Sequence, residues 1–64
     1  MKEKVIYEIN EGSFIVTEVT KDDNTTYNIY KKNPHAWVLV ESHTDRTSAK
    51  KRAKQIWREQ YALK

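Results

Sequence analysis

Lys50, Lys51, Lys54 and Arg58 are the side chains of this 64-residue chain whose spacing most plainly suits a chemical task. At 100° per residue, Lys51, Lys54 and Arg58 fall within a sector of about 60° on a helix and form a ridge, with Lys50 on its border beside Trp57 and Tyr61. A ridge of cations fits the phosphates of a nucleic-acid backbone, because each neutralised phosphate releases condensed counterions. It fits an acidic protein surface equally in kind. It also fits a merely solvated helix face, although the cations of the first half gain nothing from the helix dipole. The ridge belongs to a wider asymmetry. Residues 45–64 hold seven bases against two acids, whereas residues 1–44 hold five bases against seven acids, so a +5 segment follows one of −2.

The remaining chemistry-bearing residues form weaker constellations. Tyr27 and Tyr30 are candidates for base stacking or for a protein interface, whereas Trp37 and Trp57 are expected to anchor the core of so small a domain. His35 and His43 are eight residues apart, and the chain has no cysteine, so no metal site is expected. Asp22-Asp23-Asn24 lacks the glycine and the terminal glutamate of a calcium loop. Ser42, His43 and Asp45 are residue types of a hydrolase triad, but triads are made by converging geometry and not by adjacency. Asp45 and Thr44 are more simply explained by the start of a helix. With no glycine-rich phosphate loop either, the chain reads as a non-enzyme that takes no cofactor and no small-molecule substrate.

These residues must be positioned by a few short elements. One Gly and one Pro make the punctuation easy to read. Val5, Tyr7 and Ile9 alternate with Ile6 and Glu8, a strand of about 4–10 closed by Asn10-Glu11-Gly12, where Gly supplies the left-handed conformation of a hairpin. A β-branched stretch gives a second strand, about 13–20, with Phe14 and Val16 on one side and Ile15 and Val19 on the other. The polar cluster Lys21 to Asn24 turns into a third strand, about 25–32, with Tyr27 and Ile29 opposed to Thr26, Asn28 and Tyr30. Asn33-Pro34 breaks the chain before the most apolar strand, about 36–42, where Trp37 and Leu39 oppose Ala36, Val38 and Val40. The period then changes to 3.6. A helix of about 46–62 is predicted, capped by Asp45 or Thr47, with Ala49, Ala53, Ile56, Trp57, Tyr61 and Leu63 on its apolar arc. Lys51, Lys54, Gln55 and Arg58 lie opposite, and Arg52 falls on the flank near Glu59.

The fold class that follows is α+β, an antiparallel β-meander of three to four strands with one C-terminal amphipathic helix packed on one sheet face. Residues 1–64 make a single domain. Such a chain buries only about 60% of its unfolded surface, and 38% of its residues are hydrophobic. One helix covers one sheet face, yet apolar residues occupy both. Either the sheet curls around one core, or the second face meets a partner, carrying some of Tyr7, Tyr27, Tyr30 and Trp37; a homodimer would supply the missing burial. No apolar run is long enough to span a bilayer or to form a signal peptide, so a cytoplasmic protein is expected.

The run from Thr47 to Trp57, after the strands, resembles the small strand-and-helix modules of phage proteins, such as the arm-site-binding domain of tyrosine recombinases. That resemblance spans about the last forty residues and implies DNA read through the sheet. Here the strand-forming part departs from it, being net acidic with Glu8, Glu18, Asp22, Asp23 and Glu41. Two functions are therefore carried forward. One is a nucleic-acid-binding module using Lys50, Lys51, Lys54 and Arg58. The other is a protein-protein interaction module, a small inhibitor or adaptor of phage type, using the uncovered sheet face.

Overall fold

Alternating side chains and tight turns build four strands in the computed structural model of the chain, which describes residues 1–59. They are β1 (Lys2–Ile9), β2 (Phe14–Lys21), β3 (Asn24–Lys32) and β4 (Trp37–His43), followed by α1 (Arg46–Trp57). The strands pair antiparallel in the order β1-β2-β3-β4, and the helix packs across one face, giving the expected α+β meander. Residues 60–64, with the end of the predicted helix and with Tyr61 and Leu63 of its expected apolar arc, lie outside the described residues.

Two hairpin turns depend on left-handed backbone. Asp22 and Asp23 have φ of 49° and 66° and close β2–β3 in two residues. In β1–β2, Asn10, Glu11 and Gly12 have φ of 54°, 57° and 88°, and the Ser13 N–H donates to the Asn10 carbonyl at 3.2 Å. In β2–β3, positive φ at both central positions gives a turn whose twist matches that of the strands it joins. Asp and Asn tolerate that conformation and Gly is indifferent to it, whereas Glu11 is strained by its Cβ.

Pairing register assigns each side chain to a face. Phe14, Val16, Tyr27 and Ile29 face the helix; Ile15, Thr17, Val19, Asn28 and Tyr30 face away. Two bulges correct the simple alternation. In β1, Val5 pairs with Thr17 but Tyr7 pairs with Val16, so two steps of β1 oppose one of β2. The extra residue turns the strand over. Val5 therefore lies on the open face, while Tyr7 and Ile9 lie on the helix side instead of sharing a face with it. A second irregularity, opposite Ile29/Tyr30, leaves Val40 as the extra residue of β4, and Val40 packs against the core.

The core is one layer between helix and sheet. Phe14, Val16, Ile29, Ala49 and Ala53 are fully buried and Ile56 nearly so. Ala49, Ala53 and Ile56 recur at helical spacing on one stripe, and the two alanines let the helix backbone sit close to Phe14 and Val16. Asp45, not Thr47, is the N-cap. Its Oδ2 accepts the Ser48 N–H at 2.8 Å, with Asp45 itself extended at φ −119° and ψ 129°. That hydrogen bond holds the Asp45 carboxyl below its ordinary pKa. Trp57 packs at the margin of the core as expected, but Trp37 does not: it is 47% exposed. Its place on an edge strand and on the open face removes it from the single layer the helix can cover.

Candidate nucleic-acid interface

A helix lying across a sheet presents one outward face, and α1 fills that face with cations. Lys51, Lys54 and Arg58 are exposed, and none makes an ion pair among the described residues. From Lys51 to Arg58 is about 10 Å of helix, close to the axial rise of about three phosphates on one strand of a duplex. The structure thus keeps these three together as a ridge.

Lys50 and Arg52, also on the helix, are engaged, while Arg46 at its first turn is exposed. Lys50 is half-buried, and its Nζ stands 5.4 Å from the centre of the Tyr7 ring, a cation–π contact that ties the helix to β1. Its neighbour is therefore Tyr7 of the sheet. Arg52, on the helix flank, reaches across to the sheet. Its Nε donates to both carboxylate oxygens of Glu41, at 3.1 and 2.9 Å, and so pins the helix to β4. Glu59 instead accepts from Gln55 Nε2 at 3.2 Å. His43 Nε2 lies 3.0 Å from Glu41 Oε1. Partial burial pushes the Glu41 carboxyl up, but the hydrogen bonds from Arg52 and His43 outweigh it, leaving Glu41 below its usual range.

The two candidate tyrosines are separated by the sheet. Tyr27 is half-buried on the helix side, opposite Glu18 and His43. Tyr30 is on the open face, where its hydroxyl donates to Glu3 Oε2 at 3.4 Å and accepts from Asn28 Nδ2 at 3.4 Å. The odd spacing of 27 and 30 in a strand signals this separation, since side chains alternate. Ser42, His43 and Asp45 are likewise dispersed: Ser42 donates to Asn28 Oδ1 at 2.8 Å, His43 meets Glu41, and Asp45 caps the helix. His35 is exposed in the β3–β4 turn. No group of three or more His, Cys, Asp or Glu is arranged to hold a metal among the described residues.

The open face carries a shallow depression of about 320 Å³ that sequence reasoning did not locate, lined by residues including Val5, Ile15, Thr17, Tyr30 and Trp37. Glu3 sits at its rim and accepts a hydrogen bond from Thr17 Oγ1 at 2.8 Å. Of the four aromatic residues considered for this face, Tyr30 and Trp37 are on it, whereas Tyr7 and Tyr27 are beneath the helix. Val5 escaped notice because the bulge that turns it outward has no sequence signature. The two faces differ in electrostatics: the helix side shows cations without ion pairs among the described residues, whereas on the open face Glu3 and Glu8 are balanced by Lys21 and Lys32 around the apolar side chains. Among the described residues, no helix is long and apolar enough to cross a membrane. Set beside known families, curated proteins and solved structures, the chain matches none.

Proposed function

We propose that this chain is a small non-enzymatic binding module that contacts the phosphate backbone of nucleic acid through the outward face of α1, acting in the cytoplasm. The observation that carries the reading is the division of labour among the helix cations. Lys50 and Arg52 are committed to the fold, while Lys51, Lys54 and Arg58 project on one ridge without ion pairs among the described residues. Free cations lined along a rigid element give contact that is electrostatic and tolerant of sequence. The open face, where Glu3 and Glu8 are matched by Lys21 and Lys32, has no such surplus of positive charge. Tyr30, beside Glu3, is accordingly no stacking platform in this reading.

The test is titration of labelled duplex and single-stranded DNA and RNA at low salt. Wild type binds all of them, and the Lys51→Ala/Lys54→Ala/Arg58→Ala variant loses binding with an unchanged circular-dichroism spectrum. Binding that the triple variant retains refutes the proposal.

A second reading is favoured by one specific observation. Val5, Trp37 and Leu39 are each about half exposed on the open face, Val5 and Trp37 lining the depression and Leu39 opposite its Tyr30. Exposed apolar groups clustered in this way mark surfaces that meet another protein. In this reading the chain is an inhibitor or adaptor, of the kind phages encode, that docks by its sheet. A Val5→Lys change then abolishes complex formation and charge reversal on the helix leaves it intact.

A further inference from the structure

We infer that β4 is a self-pairing edge, and that two copies of this chain join antiparallel through it into a continuous eight-stranded sheet. The inference does not rest on the nucleic-acid contact.

A meander leaves two edges, and here they differ. β1 is guarded by charge, with Lys2, Glu3, Lys4 and Glu8 along it, one of them paired to Glu18 at 3.6 Å, and by a bulge in mid-strand. Such features keep an edge from recruiting another strand. β4 begins Trp37-Val38-Leu39-Val40, with no charge. Its first three residues are 47%, 42% and 52% exposed.

The direction of its backbone groups follows from the ladder. The Lys32 N–H donates to Ser13 at 2.8 Å and the Asn33 N–H to Ala36 at 2.8 Å, so even residues of β3 bond towards β2 and odd residues towards β4. Lys31 pairs with Val38, which turns the Val38 backbone inward. The N–H and C=O of Trp37 and Leu39 therefore point away from the sheet. Unpaired backbone groups beside exposed apolar side chains form a template for a strand.

The template is complementary to itself. With a two-fold axis at Val38, Trp37 lies opposite the partner's Leu39 and exchanges both backbone hydrogen bonds with it, and the symmetric pair does the same. Val38 meets the partner's Val38 at the close, non-hydrogen-bonded position. All three exposed residues find an apolar neighbour, and no like charges meet between Ala36 and Val40. The bulge at Val40 ends the ladder. Such an axis is normal to the sheet, so both helices stay on the same side. At about 4.8 Å per strand they lie roughly 20 Å apart, clear of each other. The six apolar residues offer on the order of 500 Å² of contact, less than the roughly 1,200 Å² of a standard stable interface. The dimer is therefore a weak one, formed at high concentration.

Sedimentation equilibrium, up to about millimolar protein, tests the inference with two variants, Val38→Lys and Val38→Glu. Wild type is expected to rise from 7.6 kDa towards twice that mass with concentration. Each variant alone stays at the monomer mass with a native circular-dichroism spectrum, because like charges meet on the axis. An equimolar mixture of the two dimerises again. A control, Val5→Lys, on the open face but on the opposite edge strand, dimerises as wild type does. Wild type that stays monomeric overturns the inference, as do variants that dimerise alone or a mixture that does not recover. If Val5→Lys alone is monomeric, the contact is face to face and the edge pairing is wrong.

Discussion

The structure separates the ridge cations from Arg52, which is tied to the sheet, and the salt dependence of binding reads that separation residue by residue. Lys51, Lys54 and Arg58 are exposed without ion pairs among the described residues, whereas Arg52 donates to Glu41 at 2.9 and 3.1 Å. Each cation that neutralises a duplex phosphate contributes about −0.9 to the slope of log affinity against log salt, so three give about −2.7. Between 50 and 200 mM salt, that slope weakens binding about 40-fold. Replacing any one of the three by Ala brings the slope to about −1.8 and the loss to about 12-fold. Arg52→Ala leaves the slope where it was and instead destabilises the fold by about 1 kcal/mol or less, the range of partly exposed ion pairs. The assay is fluorescence anisotropy with a short duplex, at protein concentrations well below those at which β4 pairs, with urea melts run in parallel. Two results refute the reasoning: a slope unmoved by the three single changes, or one that Arg52→Ala lowers as much as they do.

Other consequences concern the fold that carries the ridge. Glu11, at φ 57°, holds a conformation that costs an L-residue roughly 1–2 kcal/mol, so Glu11→Gly is expected to stabilise by about 1 kcal/mol after Gly's own entropy cost and to raise the urea midpoint. A lower midpoint contradicts the turn geometry. Phe14→Ala, at a fully buried site, removes about 3–5 kcal/mol, comparable with the whole stability of a domain of this length, and is expected to give a largely unfolded chain in circular dichroism. Acid titration probes Glu41. Because its folded pKa is lowered, its stabilising effect is complete above the ordinary value of 4.5 and fades as pH falls through the lowered one. Glu41→Gln is then less stable than wild type at neutral pH, and the two melting curves converge in strong acid; a constant gap at all pH values argues against the pairing.

Turn residues and periodicity made most of this fold readable in one dimension. Asn10-Glu11-Gly12 and Lys21 to Asn24 marked hairpins because few residue types accept positive φ, and the change of period after β4 marked the helix because apolar positions must line one side of it. The ridge of Lys51, Lys54 and Arg58 was legible for the same reason, since helical geometry fixes angular positions once the helix is given. The remaining assignments had no local signal. A bulge is one extra residue accommodated by the neighbouring strand, so Val5 and Tyr7 could be placed on opposite faces only by the β1–β2 register. Trp37 looks like a core anchor in a strand pattern, and is exposed because β4 is an edge. Arg52 found Glu41 eleven residues away in sequence, across the helix–sheet junction, where no spacing rule reaches. The sequence by itself determined which elements form and which helix face is charged, because backbone conformation and periodicity act over a few residues. Only the tertiary structure decided which cations are engaged, which sheet face the helix leaves uncovered and which edge begins without charge, because those depend on which side chains distant segments bring together.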